Sequence, residues 1–439
     1  MNWTKDTPGY DEERRGFQLL TPHRPDQIVG ATSTADIQRA VRSAREQHLK
    51  VAVKASGHGH VTPLDGGILI TTSRLNQVSV DPQQQTAWVE AGSTWQQVID
   101  AATPHGLAPL SGSYPGLTAV PYTLGGGLSL MARRYGYAAD HVRRIEVVTP
   151  DGELRKAEDD PDLFWALRGG GGNFGVVTGM EIDLFPVPTL HGGSLYYDLT
   201  ATPEALAAWR DWTRTVPDSV TSAVSVIPFP DIQPVPAPLR GKYIAQIQVA
   251  VIPELAQHSA GEGDAEPARR LRDALGEPVL DTVKELPFTE SGKIFDEPAR
   301  PDAYRSRNVL LSELDPTALA TIPQLAGPKA EAMCIINIRH LGGVLSRKPN
   351  KDNAIGHRDA QYSLTVLSPG EADVRDLQRA TLQPWADHTI GRSLNFSYGP
   401  LTGQEVQDAY DDYERLSRLR AQYDPGELLL PNHAIRARQ

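Results

Sequence analysis

Apolar positions near the start of the chain recur at two different periods. From Thr34 onward, Ile37, Ala40, Val41 and Ala44 fall on one face of a helix, with Ser33 or Thr34 placed to cap it. From about Thr94, Trp95, Val98, Ile99 and Ala102 share a second helical face, and Gly106 stops it. Between them lie short strand-length runs, VAVK (51–54), ILIT (68–71) and AWVE (87–90), bounded by Gly, Pro and Asp. Helices are too few for the regular β–α alternation of a doubly wound sheet, so the first 190 residues read as α+β.

The pattern changes at Pro186-Val-Pro188. Thr202-Pro203-Glu204 has the form of a helix start: a cap, an N1 proline and an acidic first turn. The proline-rich stretch 228–238 reads as a loop. KYIAQIQVAVI (242–252) puts Tyr243, Ala245, Ile247, Val249 and Val251 on one side, which predicts a half-buried antiparallel strand. MCIINIR (333–339) and QYSLTVL (361–367) look similar, and 256–266 reads as a solvated loop. The middle of the chain is therefore predicted to be a second domain, an antiparallel sheet covered by helices. From Thr402, the series Val406, Ala409, Tyr410, Tyr413, Leu416, Leu419 and Tyr423 predicts one last helix, stopped by Asp424-Pro425-Gly426.

Composition narrows the function classes. The chain has 439 residues, enough for about two or three domains, and its 40% hydrophobic and 22% charged content is that of a globular protein. A net charge of −11 argues against nucleic acid or an anionic membrane as partner. No apolar run is long enough for a membrane helix, and the first residues lack the apolar core of a signal peptide, so a cytoplasmic protein is expected. The one cysteine, Cys334, excludes an intramolecular disulfide and any four-cysteine metal site; within AMCIINI it reads as a buried, inert thiol.

Three glycine clusters stand out: Ser56-Gly57-His58-Gly59-His60, the stretch from Gly112 to Gly127, and Gly169 to Gly175. Glycine permits positive φ and close backbone approach, and successive amides in such turns form concave anion sites suited to a pyrophosphate. The third cluster contains GxGxxG at Gly170, Gly172 and Gly175, but a helix (160–168) precedes it and a strand (176–184) follows. A Rossmann site needs the opposite order, and that reading is rejected. No P-loop motif is present. His58 and His60 leave three readings open: ordinary loop histidines, a metal pair of a hydrolase, or a histidine that carries a cofactor, since imidazole nitrogen is a good nucleophile near neutral pH.

With these residues in view, the chain resembles the vanillyl-alcohol-oxidase type of flavoprotein, and within it the berberine-bridge-enzyme-like oxidases. The likeness rests on LTPHRPDQIVGATSTADIQRAVRSAREQ (20–47), VAVKASGHGH (51–60), TLGGGLSLMARRYGYAADHVRRIEVVTPDGE (123–153), DLFWALRGGGGNFGVVTGMEIDLFPV (162–187), SLNFSYG (393–399) and YERLSRLRAQYDPGELLLPNHAI (413–435). It implies an α+β fold: a PCMH-type FAD-binding domain of two subdomains over 1–190, a substrate domain over 191–390, and a segment 391–439 that returns to the first. It also implies that His58 bonds the flavin 8α-methyl group. Lys54, Ala55, Ser56, Gly57, Gly59 and His60 would wrap the pyrophosphate, as would Ser113, Gly116, Leu117 and Thr118. Gly126 and Gly127 are further cofactor contacts, Val176 and Val177 pass the adenine, and Asn395 and Asn432 return beside the isoalloxazine. Tyr114 stands where some relatives carry a second, cysteinyl link, so a single link is implied.

The resemblance implies an oxidase that takes a hydride from a natural-product alcohol, sugar or phenol, with a base removing a proton. The tyrosine that many relatives place two residues before the C-terminal asparagine is Ser393 here. Tyr122 and Tyr362 are then the candidate catalytic residues, ahead of His357 and Tyr398. Leu117 lies where small residues favour O2, so a carbohydrate oxidase and a dehydrogenase with another acceptor remain alternatives. A non-redox cyclase with FAD as scaffold and a metal-dependent hydrolase are the alternatives of other classes. A small-molecule substrate, no metal, and a monomer or homodimer are expected.

Overall fold

The Ser33 hydroxyl accepts the Asp36 N–H, and Asp36 reaches back to the Ser33 N–H, which starts the helix Thr34–Glu46. Ile37, Ala40, Val41 and Ala44 pack from it onto a four-stranded sheet. That sheet runs Asn2–Thr4, Gln27–Gly30, Ile68–Thr71, Val51–Lys54; its first pair is antiparallel and the others parallel. The structure, a computed structural model, describes residues 1–253, 262–370 and 372–437. A second capping box, Thr94 with Gln97, opens the helix Trp95–Ala102. It packs on a five-stranded antiparallel sheet ordered Val78–Asp81, Thr86–Glu90, Val176–Asp183, Val142–Val148, Leu154–Lys156.

After Pro188 the chain builds a nine-stranded antiparallel sheet. Its order is Leu280–Asp281, Thr189–Asp198, Tyr243–Val251, Val220–Pro228, Ile335–His340, Tyr362–Pro369, Tyr304–Leu311, Thr389–Gly391, with Lys284–Pro287 also paired to Thr189–Asp198. Mixed helices and antiparallel sheets make the fold α+β, as expected.

Four local expectations are corrected. Tyr243–Val251 is buried on both faces, not one. Tyr243, Ala245, Ile247 and Val249 pack with Trp209 and Leu271 of the covering helices, while Ala250 packs on Ile99, Leu110 and Met131 from the first 190 residues. Gln246 and Gln248 therefore mark a protein-covered face, not a wet one. The helix expected at Thr202 begins at Ala205, and the Thr202 side chain does not cap it. Residues 262–266 belong to the helix Glu262–Leu275, and 254–261 of the expected loop lie outside the described residues. The last helix is two, Gly403–Gln407 and Tyr413–Tyr423. Asp412 caps the second by accepting the Arg415 N–H, and Asp411 accepts the His357 N–H, so aspartate capping overrides the apolar period. Cys334 is buried, its Sγ 3.4 Å from Ser368 Oγ. Among the described residues no helix is long and apolar enough to cross a membrane.

The C-terminal segment is fastened by a buried knot. Arg420 pairs with Asp424 at 2.8 Å, donates to Leu429 O at 2.9 Å, and also bonds Asn173 O. Asp424 in turn accepts the N–H groups of Leu428 (2.7 Å) and Leu429 (2.9 Å). Removing one partner of such a pair leaves an uncompensated buried charge. Arg420→Met is expected to cost about 3 kcal/mol, read as a fall in the thermal unfolding midpoint; an unchanged midpoint would count against the knot.

Candidate active site

The loop that leaves Val51–Lys54 is held by its carbonyls. Phe17 N–H donates to Ser56 O at 2.9 Å and Gln18 N–H to Gly57 O at 3.0 Å. Gly57 has φ +69°, and a Cβ there would sit 2.7 Å from Gly16 Cα, so only glycine allows this approach. Among the described residues, the amides of 55–60 find no acceptor, nor do those of 111–114 in the facing loop. The two loops meet where Ser56 Oγ lies 3.4 Å from Thr118 Oγ1. Two runs of free N–H groups across a glycine-lined gap form a cradle for a bridged anion such as a pyrophosphate. Lys54 adds a cation below it, its Nζ 3.1 Å from Arg15 O; burial pushes this ammonium below its ordinary pKa.

The two histidines part company. His60 Nε2 lies 2.7 Å from Thr21 O and its ring stacks on His23 at 3.9 Å, so it is a structural group, its pKa pushed down to about 4 by burial. His58 stands among Phe17 (4.4 Å), Tyr114 (5.9 Å), Tyr304 (6.0 Å) and Tyr398 (6.2 Å). Its Nδ1 is enclosed and has no hydrogen-bond partner. Burial lowers its pKa, with the Glu297 charge working against that. Among the described residues the pair belongs to no group of His, Cys, Asp or Glu able to hold a metal.

The second loop and the C-terminal segment close around this point. Gly116 leaves room for the Tyr114 phenol, which would meet a Cβ there at 2.4 Å. Leu117 O accepts the Trp95 N–H at 2.8 Å. Asn432 spends both ends of its amide on the first loop, accepting Val61 N–H at 2.7 Å and donating to Gly59 O. Asn395 Nδ2 donates to Tyr122 O at 3.0 Å, and its Oδ1 fills the space where a Gly125 Cβ would lie. Gly126 and Gly127 both have positive φ, and Gly127 backs onto the Tyr122 ring. Val176 and Val177 are core residues, one under each of the first two sheets. Tyr122 Oη is enclosed without a partner, and burial drives its pKa far up.

Strand parity decides what the nine-stranded sheet turns toward this site. Asn308, Ser363 and Thr365 share one face and are bonded at 2.9 Å. Ser225 and Asn337 lie 2.9 Å apart on the same face, beside Arg339. Ser363 of that face also lines a cleft together with Gly125, Gly127, Leu310, Ser393 and Asn395. Tyr362 turns the other way and does not face the cleft. It pairs in register with His340, packs on Trp209 in the helix-covered core, and bonds Thr213 Oγ1 at 2.7 Å. His357 is likewise used structurally, with Nε2 2.9 Å from Asp408 O. Tyr362→Phe is thus expected to lower stability by about 1 kcal/mol while leaving turnover within about twofold of wild type; a hundredfold loss of turnover would return Tyr362 to the chemistry.

Sequence reasoning missed Tyr304, Glu297 and Arg339. Tyr304 Oη donates to His58 O at 2.5 Å. The signal for Arg339 was present: Asn337 and Arg339 alternate with buried Ile336 and Ile338, and polar residues alternate likewise on the neighbouring strands.

A family model described as "FAD binding domain" matches residues 25–158. The "Uncharacterized FAD-linked oxidoreductase YgaK" of Bacillus subtilis is 26% identical over 443 residues, covering 96% of this chain and 93% of its own. "Berberine bridge enzyme-like 9" of Arabidopsis thaliana is 24% identical over 467 residues, covering 95% and 85%. A solved xylooligosaccharide oxidase from Myceliophthora thermophila, in complex with xylobiose, shares the fold with a TM-score of 0.83, at 21% identity over 100% of this chain and 97% of that one. With an FAD-binding domain at its start and relatives aligned end to end, the chain is an FAD-linked oxidoreductase, with berberine-bridge-enzyme-like proteins among its relatives.

Proposed function

We propose that the protein is an FAD-dependent oxidase of alcohol or sugar hydroxyls whose flavin is bonded once, through His58 Nδ1. The observation that carries this reading is the enclosed, unpartnered Nδ1 beside the two runs of free amides. A neutral imidazole nitrogen needs no base to act as nucleophile, and it stands at one end of a cradle shaped for a pyrophosphate. Tyr114 rather than cysteine faces His58, which leaves a single link.

In this reading residues 1–190 and 391–439 hold FAD and 191–390 cover it. Lys54 to Gly59, the backbone amide of His60, Ser113 and Gly116 to Thr118 bind the phosphates and the ring edge. Gly126, Gly127, Val176, Val177 and Asn395 line the rest, and Asn432 holds the first loop in shape. Bound FAD would supply the acceptor for the hydrogen and the two electrons that leave the substrate carbon. The chain supplies the amide- and hydroxyl-bearing sheet face, Asn308, Ser363, Thr365, Ser225 and Asn337, which suits a substrate rich in hydroxyl groups. That face favours a carbohydrate oxidase over a phenol oxidase as the second reading, and the xylooligosaccharide oxidase shares this fold.

The test is the absorption spectrum of the purified protein, before and after acid precipitation, followed by anaerobic addition of xylobiose and of simple alcohols. Yellow that stays with the pellet and bleaches with a hydroxylated compound is expected. Re-oxidation by O2 with peroxide release, against re-oxidation by a dye alone, decides the acceptor. A colourless protein that takes up no FAD overturns the reading.

A further inference from the structure

One charged cluster faces the site from the sheet, and the flavin contacts leave it without a role. Arg339 Nε donates to Asn337 Oδ1 at 3.1 Å, and Nη2 donates to Ser113 Oγ at 3.1 Å and lies 3.6 Å from Glu297 Oε1. The guanidinium lies over the Phe295 ring at 4.5 Å and the Phe396 ring at 4.9 Å, which fixes its plane. Among the described residues Nη1 has no hydrogen-bond partner. Ser113 in turn donates to Glu297 Oε1 at 2.5 Å, and among the described residues Oε2 has no bonded partner. Ser113 belongs to the second loop of the cradle, so the cluster joins the flavin loops to the sheet.

Building on the flavin reading, we propose that Arg339 and Glu297 are the proton-handling pair of this site, standing in for the tyrosine absent at Ser393. Arg339 Nη1 holds the substrate's hydroxyl oxygen, and Glu297 takes its proton. As the O–H bond breaks, its electron pair forms the new C=O bond. The neighbouring C–H bond would break with it, its hydrogen and electron pair leaving the substrate carbon for the two-electron acceptor that bound FAD would supply. Glu297 returns its proton to solvent.

The other titratable groups at this point are poor bases. Burial pushes the phenols of Tyr122, Tyr304 and Tyr398 well above their ordinary range, so they stay protonated near neutral pH. His58 is committed to the cofactor. Arg339, Tyr304, Tyr398 and His58 are the charged or titratable groups that face Glu297.

Sulfite provides a probe that needs no substrate, because it adds reversibly to an oxidised flavin, bleaches it and leaves a negative charge beside the pair. Titrated with sulfite, the holoprotein carrying Arg339→Met should bind at least tenfold more weakly than wild type. Glu297→Gln should bind at least tenfold more tightly, and the double variant should return close to wild type. Arg339→Lys and Glu297→Asp keep the charges and should stay within a few-fold, which separates charge from folding. With an alcohol that bleaches the flavin anaerobically, Glu297→Gln should slow the bleaching about a hundredfold. Unmoved sulfite affinity in both charge-removing variants, with flavin content intact, overturns the pair, as does undiminished bleaching in Glu297→Gln. A colourless wild-type protein sinks the flavin reading and the pair with it.

Discussion

Replacing His58 by alanine is expected to free the flavin. Wild-type protein precipitated with acid should keep its yellow colour in the pellet, whereas His58→Ala should release all of it to the supernatant. The free amides of residues 55–60 and 111–114 remain in the variant, so it should still be yellow before precipitation. The surroundings of His58 also set a pH dependence for forming the link. Burial among four aromatic rings disfavours the charged imidazolium and lowers its pKa. The ring is therefore neutral, and nucleophilic, across neutral pH. Protonation removes the attacking lone pair, so uptake of FAD into acid-stable form by the apoprotein should be level from about pH 8 down past the ordinary histidine value near 6.5, and fall only below it. A rate that halves near pH 6.5 would place His58 in water, and colour retained by His58→Ala would assign the link elsewhere.

How much of this was legible beforehand follows the physics of each element. The helix faces from Ile37 to Ala44 and from Trp95 to Ala102 were readable because a single stripe buries each helix and a capping box fixes each start. The break between Gly403–Gln407 and Tyr413–Tyr423 was not, because the apolar period runs through it and only the contacts of Asp411 and Asp412 interrupt the helix. The first-loop glycines and His58 were legible as a motif. The sheet's side of the site was not. Period two tells that Tyr362 and Ser363 face opposite ways, but which side meets the flavin loops depends on register across several strands and on which face the helices cover. Tyr362 drew attention as a tyrosine on a strand, and Arg339 drew none at the end of MCIINIR (333–339). In both cases the neighbouring strands, not the residue type, decide the role.

The glycine clusters allow a sharper test of where the phosphates sit. Gly57→Ala is expected to be severe. Alanine at φ +69° costs about 1–3 kcal/mol in backbone strain alone. Its Cβ would also fall 2.7 Å from Gly16 Cα and 3.4 Å from Phe17 N. Neither atom can give way cheaply, because Phe17 and Gln18 are bonded to the carbonyls of Ser56 and Gly57. The first loop must shift, and its row of free amides shifts with it. The purified variant should carry less than about a tenth of the wild-type flavin and unfold at a lower temperature. Gly172→Ala makes the contrast, since Gly172 has φ −80° and nothing within 4 Å of a new Cβ. It should keep full flavin content and stability within about 0.5 kcal/mol of wild type. A dinucleotide bound at the GxGxxG of Gly170, Gly172 and Gly175 would reverse the order, with Gly172→Ala the damaging change. Flavin content per polypeptide in the two variants, read from one absorption spectrum each, therefore chooses between the cluster that matches a known motif by spelling and the one whose backbone leaves its donors free.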